Sequence, residues 1–213
     1  MKRLIIVGAG GMGREIADYL LTLPGKGAEW QLAGFLDRDP DALAGLDFDI
    51  PILGDPADYQ PSSIDVFVCG LGLPSPKRRV VETLLARGAH FYKLIHPTAV
   101  VSSRCQIGVG SVICPYAVVS TQAVVGRFVL LNTAASVCHD ARIGDFSSVC
   151  CHADITGQVE LGEEVFIGSH GSIIPGVHVG DQATVGAGSA VIANVSSGCT
   201  VVGVPARVLK TKS

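Results

Sequence analysis

Charge is scarce in this 213-residue chain: Asp, Glu, Lys and Arg together make up 16% of it, against ~25% in an average soluble domain. So sparse a charged surface points to faces hidden against other copies of the chain. The balance is a net −3 with no basic stripe, which argues against nucleic acid or an anionic membrane as a partner. Long apolar runs are missing as well, and no stretch approaches the ~20 residues that a membrane span requires. The opening MKRLIIVGAGG imitates a signal peptide only until Gly8 breaks it, and Arg14 and Glu15 follow at once. A cytoplasmic protein is the expectation. Paired cysteine spacing is also absent. The seven cysteines form no disulfide framework or zinc motif, and Cys105, Cys114 and Cys138 read as small, slightly hydrophobic filler.

What the chain does have is a period of six. From Ile95 an aliphatic residue returns at Val101, Ile107, Ile113 and every sixth position up to Val179, Val185 and Val191. Four residues after each comes a side chain no larger than valine, as at Ala99, Cys105, Ser111 and Ala117. Six fits neither a helix nor an alternating strand, so the hexad is a unit that stacks on copies of itself. Each supplies one short strand, and three close a triangular coil. The aliphatic residue points inward and the small one is expected at a tight corner. The seventeen hexads make five to six coils, and the chain divides near residue 95.

The first part, residues 1–94, carries no hexads. Arg3–Val7 reads as a buried strand, followed by Gly8-Ala9-Gly10-Gly11-Met12-Gly13 and a helix with Ile16, Ala17 and Leu20 on its apolar side. Further strands are expected at Gln31–Leu36, ending at Asp37, at Ile64–Cys69, running into Gly70, and at Ala89–Leu94, with a helix over Lys77–Arg87. This is a βαβ pattern with a parallel sheet. A GxGxxG turn lets the backbone approach a phosphate at a helix N-terminus, though glycine also serves any strained turn. About 90 residues are too few for the two halves that a dinucleotide spans, so half a fold suits a nucleoside diphosphate. Gly10, Gly11, Met12, Gly13 and Arg14 would hold the diphosphate, with Gly70 beside them. Asp37 would take the base or ribose, or is simply the first acid of an exposed DRDPD turn. Lys77, Arg78 and Arg79 read as a solvated helix face from which any of the three is able to reach a phosphate.

The phase of the histidines within the hexads separates them. His139 is followed directly by Asp140, and one coil of three hexads above it comes Gly157. An imidazole with an ordinary pKa of roughly 6.5 takes a proton near neutrality, and a neighbouring carboxylate orients it. The bare backbone N–H of a glycine suits an oxyanion. His152 and His170 are also one coil apart, but a third ligand at suitable spacing is missing, so no metal is expected.

The hexad cadence resembles the left-handed parallel β-helix of hexapeptide-repeat acyltransferases. With the segment from Leu131 to Gly180, the GVPARVL ending at 203–209 and the opening GAGGMGRE, the whole chain resembles the NeuD/PglD-like family of sialic acid O-acetyltransferases and nucleotide-amino-sugar N-acetyltransferases. The resemblance implies a half-Rossmann α/β domain (1–94) that binds a nucleotide-sugar, then an all-β left-handed β-helix acyltransferase domain with a C-terminal tail (95–213). It implies acetyl-CoA as co-substrate, a nucleotide-linked 4-amino-deoxyhexose as acceptor, and a homotrimer with active sites between subunits. His139 is then the base, Asp140 assists it, and the Gly157 amide meets the thioester. Asn132 and Ser148 border the acetyl-CoA site, Ser148 standing where some relatives carry a second histidine. The tail at Gly203, Pro205 and Ala206 borders the adenine. Two rivals are acetylation of a sialic acid hydroxyl by the same residues, and a non-catalytic nucleotide-sugar-binding trimeric scaffold.

Overall fold

The structure, a computed structural model, describes residues 1–22 and 29–211. It divides into two compact units, Met1–Tyr92 and Lys93–Ser213. The first contains β1 (Lys2–Val7), α1 (Gly11–Thr22), β2 (Trp30–Leu36), β3 (Asp65–Cys69) and α2 (Pro74–Ala86). Its sheet is parallel, in the order β2-β1-β3. Leu4, Ile5, Ile6 and Val7 of the central strand are all buried, the continuous apolar run that a parallel strand covered on both faces requires. On α1, Ile16, Ala17 and Leu20 turn inward, the apolar stripe of a surface helix.

α2 begins at Pro74, three residues ahead of the expected Lys77, because proline in the first turn forfeits only an N–H that has no intrahelical partner. It ends at Gly88, whose φ is +83°, with Gly88 N donating to Leu85 O and Ala89 N to Leu84 O. The strand expected over Ala89–Leu94 does not form. Phe91 alone makes a bridge, to Phe67, and Leu94 belongs to the first hexad rung, paired with Val112.

In the second unit, seventeen two-residue strands recur every six residues, from β4 (Leu94–Ile95) to β20 (Ala190–Val191). They stack in three parallel ladders at an offset of eighteen, as in Leu131↔Val149, Val137↔Ile155 and Ile143↔Leu161. This is the stacked coil that the hexads foretold, the left-handed parallel β-helix that the resemblance implied. The aliphatic column from Ile113 through Leu131, Val149 and Ile167 to Val185 is buried from end to end, worth roughly 1.5–3 kcal/mol for each fully buried side chain.

The corners lie one residue earlier than expected. At every third residue after the aliphatic, from Gly110 to Gly188, φ lies between +55° and +74°. The small residue that follows is not at the corner but in the core: Ala117, Ala123, Ala135 and Ala141 are all fully buried. It stands two positions before the next aliphatic, and side chains two apart on a strand share a face. Eleven of the left-handed corners are not glycine. A lone residue in that conformation costs roughly 1–2 kcal/mol; here hydrogen bonds between coils, such as Asp140 N to Thr121 O, hold each in place. The cadence slips at the end. Val185 pairs with Val201, sixteen residues on, and β21 (Cys199–Val202) turns back into the antiparallel β22 (Arg207–Thr211). Among the described residues no helix is long and apolar enough to cross a membrane.

Candidate active site

The first unit holds a cleft of about 510 Å³ at the C-terminal ends of its strands. It is lined by Val7 and Gly8 at the end of β1, by Leu36, Asp37 and Arg38 at the end of β2, by the Asp55–Ala57 turn, and by Leu71 after β3 with Pro76, Arg79, Val80 and Thr83 of α2. Such a crevice beside the strand ends of an open parallel sheet is where ligands bind in α/β folds. The glycines divide by role. A Cβ on Gly13 would lie 1.8 Å from Gly8 O, and one on Gly70 would lie 2.8 Å from the Gly13 Cα, so these two let helix and strands pack closely. Gly10 and Gly11 face open space at the start of α1. Met12 and Arg14 are half-buried in its first turn, and none of the five residues Gly10 to Arg14 lines the cleft.

Asp37 lines the cleft, and both its oxygens are engaged: Oδ2 accepts from Ala9 N at 2.8 Å and Oδ1 from Asp39 N at 3.0 Å. It ties the glycine-rich turn to the end of β2 as well as starting the acidic turn. The three cations of α2, indistinguishable by composition, separate in space. Lys77 is buried, Arg78 pairs with Glu82 at 3.1 Å, and only Arg79 lines the cleft. Arg38 and the Asp55–Ala57 turn are cleft residues that sequence reasoning missed. The GDP tripeptide at 54–56, a turn signal directly after a short apolar run, was the available clue.

In the second unit, β11 (Ser136–Val137) delivers His139 to a corner of the prism. His139 Nδ1 lies 2.9 Å from Asp140 Oδ2. An ionised carboxylate only accepts, so Nδ1 carries the proton and Nε2 keeps its lone pair. Both side chains are exposed, 60% and 51%, and a pair so open to water serves orientation rather than stability. Gly157, which follows β14 (Asp154–Ile155), lies directly against the ring. A Cβ there would stand 2.6 Å from Cε1 and 2.7 Å from Nε2 of His139, so only glycine lets the imidazole lie against this backbone. The backbone locks the register, with Gln158 N donating to His139 O at 3.0 Å.

The remaining predicted residues are not at this corner of the same chain. Ser148, on β13 (Ser148–Val149), belongs to the eight-stranded ladder, whereas His139 follows a strand of the six-stranded one; Ser148 is fully buried. Asn132 sits at the corner between those two ladders, its Oδ1 accepting from Thr133 N at 2.7 Å. The tail residues Gly203 and Ala206 bond to Ala190 near the last coil, and Pro205 lies between them. His152 and His170 stack, with ring centroids 5.0 Å apart and planes 6° from parallel. Among the described residues no group of three or more His, Cys, Asp or Glu is placed to hold a metal ion. All seven cysteines are free thiols. Burial pushes the Cys69, Cys105 and Cys138 thiols up from their ordinary pKa.

Residues 3–84 match the family model described as the PglD N-terminal domain, and residues 158–193 match the hexapeptide repeat of succinyl-transferase. No curated protein sequence matches the chain. Among solved structures, the acetyltransferase domain of PglB from Neisseria gonorrhoeae FA1090 is 31% identical, with 98% of this chain and 100% of that one covered and a TM-score of 0.88. The same domain has been solved in complex with acetyl coenzyme A. WeeI from Acinetobacter baumannii AYE is 27% identical over 98% of this chain and 100% of its own, with a TM-score of 0.86. PerB from Caulobacter crescentus, solved with CoA and GDP-perosamine, shares the fold at 24% identity over 99% of this chain and 98% of that one, with a TM-score of 0.88. Identity of this extent over the full length of both chains leads to one conclusion: the chain belongs to the NeuD/PglD-like family of hexapeptide-repeat sugar acetyltransferases.

Proposed function

We propose that the protein transfers an acetyl group from acetyl-CoA to the 4-amino group of a nucleotide-linked amino-deoxyhexose, with His139 as general base. The observation that carries this reading is the His139 ring against Gly157 with Asp140 on its Nδ1. Asp140 fixes the tautomer and leaves Nε2 to accept a proton from the amine as its nitrogen attacks the thioester carbon. The C–N bond forms and the carbonyl oxygen becomes an oxyanion, which the Gly157 N–H receives. As the tetrahedral intermediate collapses, the C–S bond breaks and the proton on His139 passes to the departing thiolate. No acyl-enzyme is needed. The cleft of the first unit takes the nucleoside diphosphate, with Arg79 facing a phosphate and Asp37 holding the glycine-rich turn open.

A homotrimer completes the site. Asn132 and the Gly203–Ala206 tail lie on parts of the β-helix other than the His139 corner, an arrangement that suits their contribution from a neighbouring copy to the acetyl-CoA site, whereas the fully buried Ser148 supports the coil from within. The test is a thiol-release assay with acetyl-CoA and a panel of UDP-, dTDP- and GDP-linked 4-amino sugars, with free sialic acid as a control acceptor. Release is expected with at least one amino-sugar nucleotide, and wild-type activity in His139→Ala would sink the assignment of the base.

A further inference from the structure

The cleft of the first unit is bounded by two pieces of chain far apart in sequence. It is lined by α2, through Arg79, Val80 and Thr83, and by the turn at Asp55, Pro56 and Ala57. The turn is internally bonded: Ala57 N donates to Asp55 Oδ1 at 2.7 Å, and Asp58 N and Tyr59 N donate to Asp55 O. These bonds leave the carbonyls of Pro56 and Tyr59 to find donors elsewhere. Arg87 supplies them. Its Nη1 lies 3.2 Å from Tyr59 O and 3.5 Å from Pro56 O.

Arg87 is the C-cap residue of α2, the helix that also lines the cleft. The turn is also pinned at both ends. Asp37 N donates to Gly54 O at 3.0 Å. The Tyr59 hydroxyl donates to the buried Asp65 at 3.1 Å, and its ring meets Phe67 edge-on. Between those pins, the Arg87 side chain joins α2 to this turn, two elements that both line the cleft.

We propose that Arg87 is a strut that sets the width of the nucleotide slot, a positioning residue rather than a contact to the ligand. The proposal rests on reading this cleft as the nucleoside diphosphate site. A guanidinium presents a planar, rigid fork of donors and is always charged, so it holds two carbonyls with little loss of freedom. Remove it, and both carbonyls turn to water and the turn drifts between its end pins. A flat base then meets a slot that is at binding width only part of the time, and apparent affinity falls by that fraction.

The experiment compares wild type, Arg87→Ala and Arg87→Lys. For Arg87→Ala, KM for the amino-sugar nucleotide is expected to rise about tenfold, with kcat and the KM for acetyl-CoA within about twofold of wild type. Arg87→Lys is expected to recover part of the loss, since an ammonium donates to one carbonyl as a point charge. In thermal-shift titrations with UDP, dTDP and GDP, the nucleotide that stabilises wild type should require about ten times the concentration to stabilise Arg87→Ala equally. A lower Tm with unchanged nucleotide KM and an unchanged titration would show a merely structural residue and overturn the strut. If none of the three nucleotides stabilises wild type and none of their amino sugars is turned over, the nucleotide reading of the cleft falls, and the strut with it.

Discussion

Two corners of the β-helix each place a histidine one coil beneath another residue of interest, and the difference between them shows how a repeat makes a site. His139 is the second residue after its aliphatic, and above it stands Gly157, with no room for a Cβ. His152 is the third residue after its aliphatic, in the left-handed conformation with φ +57°; above it stands His170 at the same φ, and above that Gly188, which faces open space. At the first corner the ring lies against backbone and a carboxylate holds its Nδ1. At the second, the rings lie against each other. A shift of one position within the hexad separates an imidazole lying against a glycine backbone from a stack of two exposed imidazoles.

The largest expected effect breaks the comparison outright. His139→Ala should lower kcat by ~10²–10⁴-fold, the usual contribution of a positioned base, while acetyl-CoA affinity stays close to wild type. His152→Ala and His170→Ala should leave kcat within about twofold. Steady-state thiol release on all three variants checks this, and equal losses at both corners would refute the distinction.

Next come the glycines above the histidines. Gly157→Ala places a methyl 2.6 Å from Cε1 and 2.7 Å from Nε2 of His139, so the ring must swing away. A fall in kcat of about 10²-fold is expected, the scale of loss when a catalytic group is misplaced by about 1 Å, with the His139 ring displaced in a crystal structure of the variant. Gly188→Ala meets nothing within 4 Å but sits at φ +65°. It should cost roughly 1–2 kcal/mol of stability, read as a drop in Tm, and little activity. Asp140 then separates charge from conformation. Asp140→Asn keeps a residue that tolerates φ +62° and can still accept from Nδ1–H; a loss of about tenfold in kcat is expected, and a larger one for Asp140→Ala.

The six-residue period made the β-helix legible because every coil repeats the same test of inward and outward positions. The alignment of His139 with Gly157 followed from arithmetic alone. The corner was misplaced by one residue because side-chain size does not reveal φ: Asp140, His152, Phe146 and Gln158 all take the left-handed conformation, held there by bonds between coils that no local rule anticipates. The first unit was less legible for the same reason in reverse. Its strands and helices are written in apolar runs and glycines, but each of its cleft residues occurs once. Nothing local distinguishes the buried Lys77 from Arg79 two residues later, or reveals that Arg87 reaches back to Tyr59.

The smallest expected effect tests whether the His139 corner holds a rival nucleophile. Cys138 precedes the histidine directly, and a thiol beside a base is a familiar route to an acyl-enzyme. Burial, and then the carboxylate of Asp154, push this thiol up from its ordinary pKa, and it is the thiolate that attacks. Raising the pKa therefore lowers the reactive fraction at neutral pH, the opposite of what a nucleophilic cysteine needs. Alkylation of Cys138 by iodoacetamide near pH 8 should be slower than that of a free thiol, and should quicken modestly in Asp154→Asn, where the charge is gone but the burial remains. Cys138→Ser should keep kcat within about twofold. A larger loss there, or an acetylated Cys138 trapped by rapid quench and mass spectrometry, would move the chemistry from direct transfer to a two-step path and leave His139 as the activator of a thiol instead of an amine.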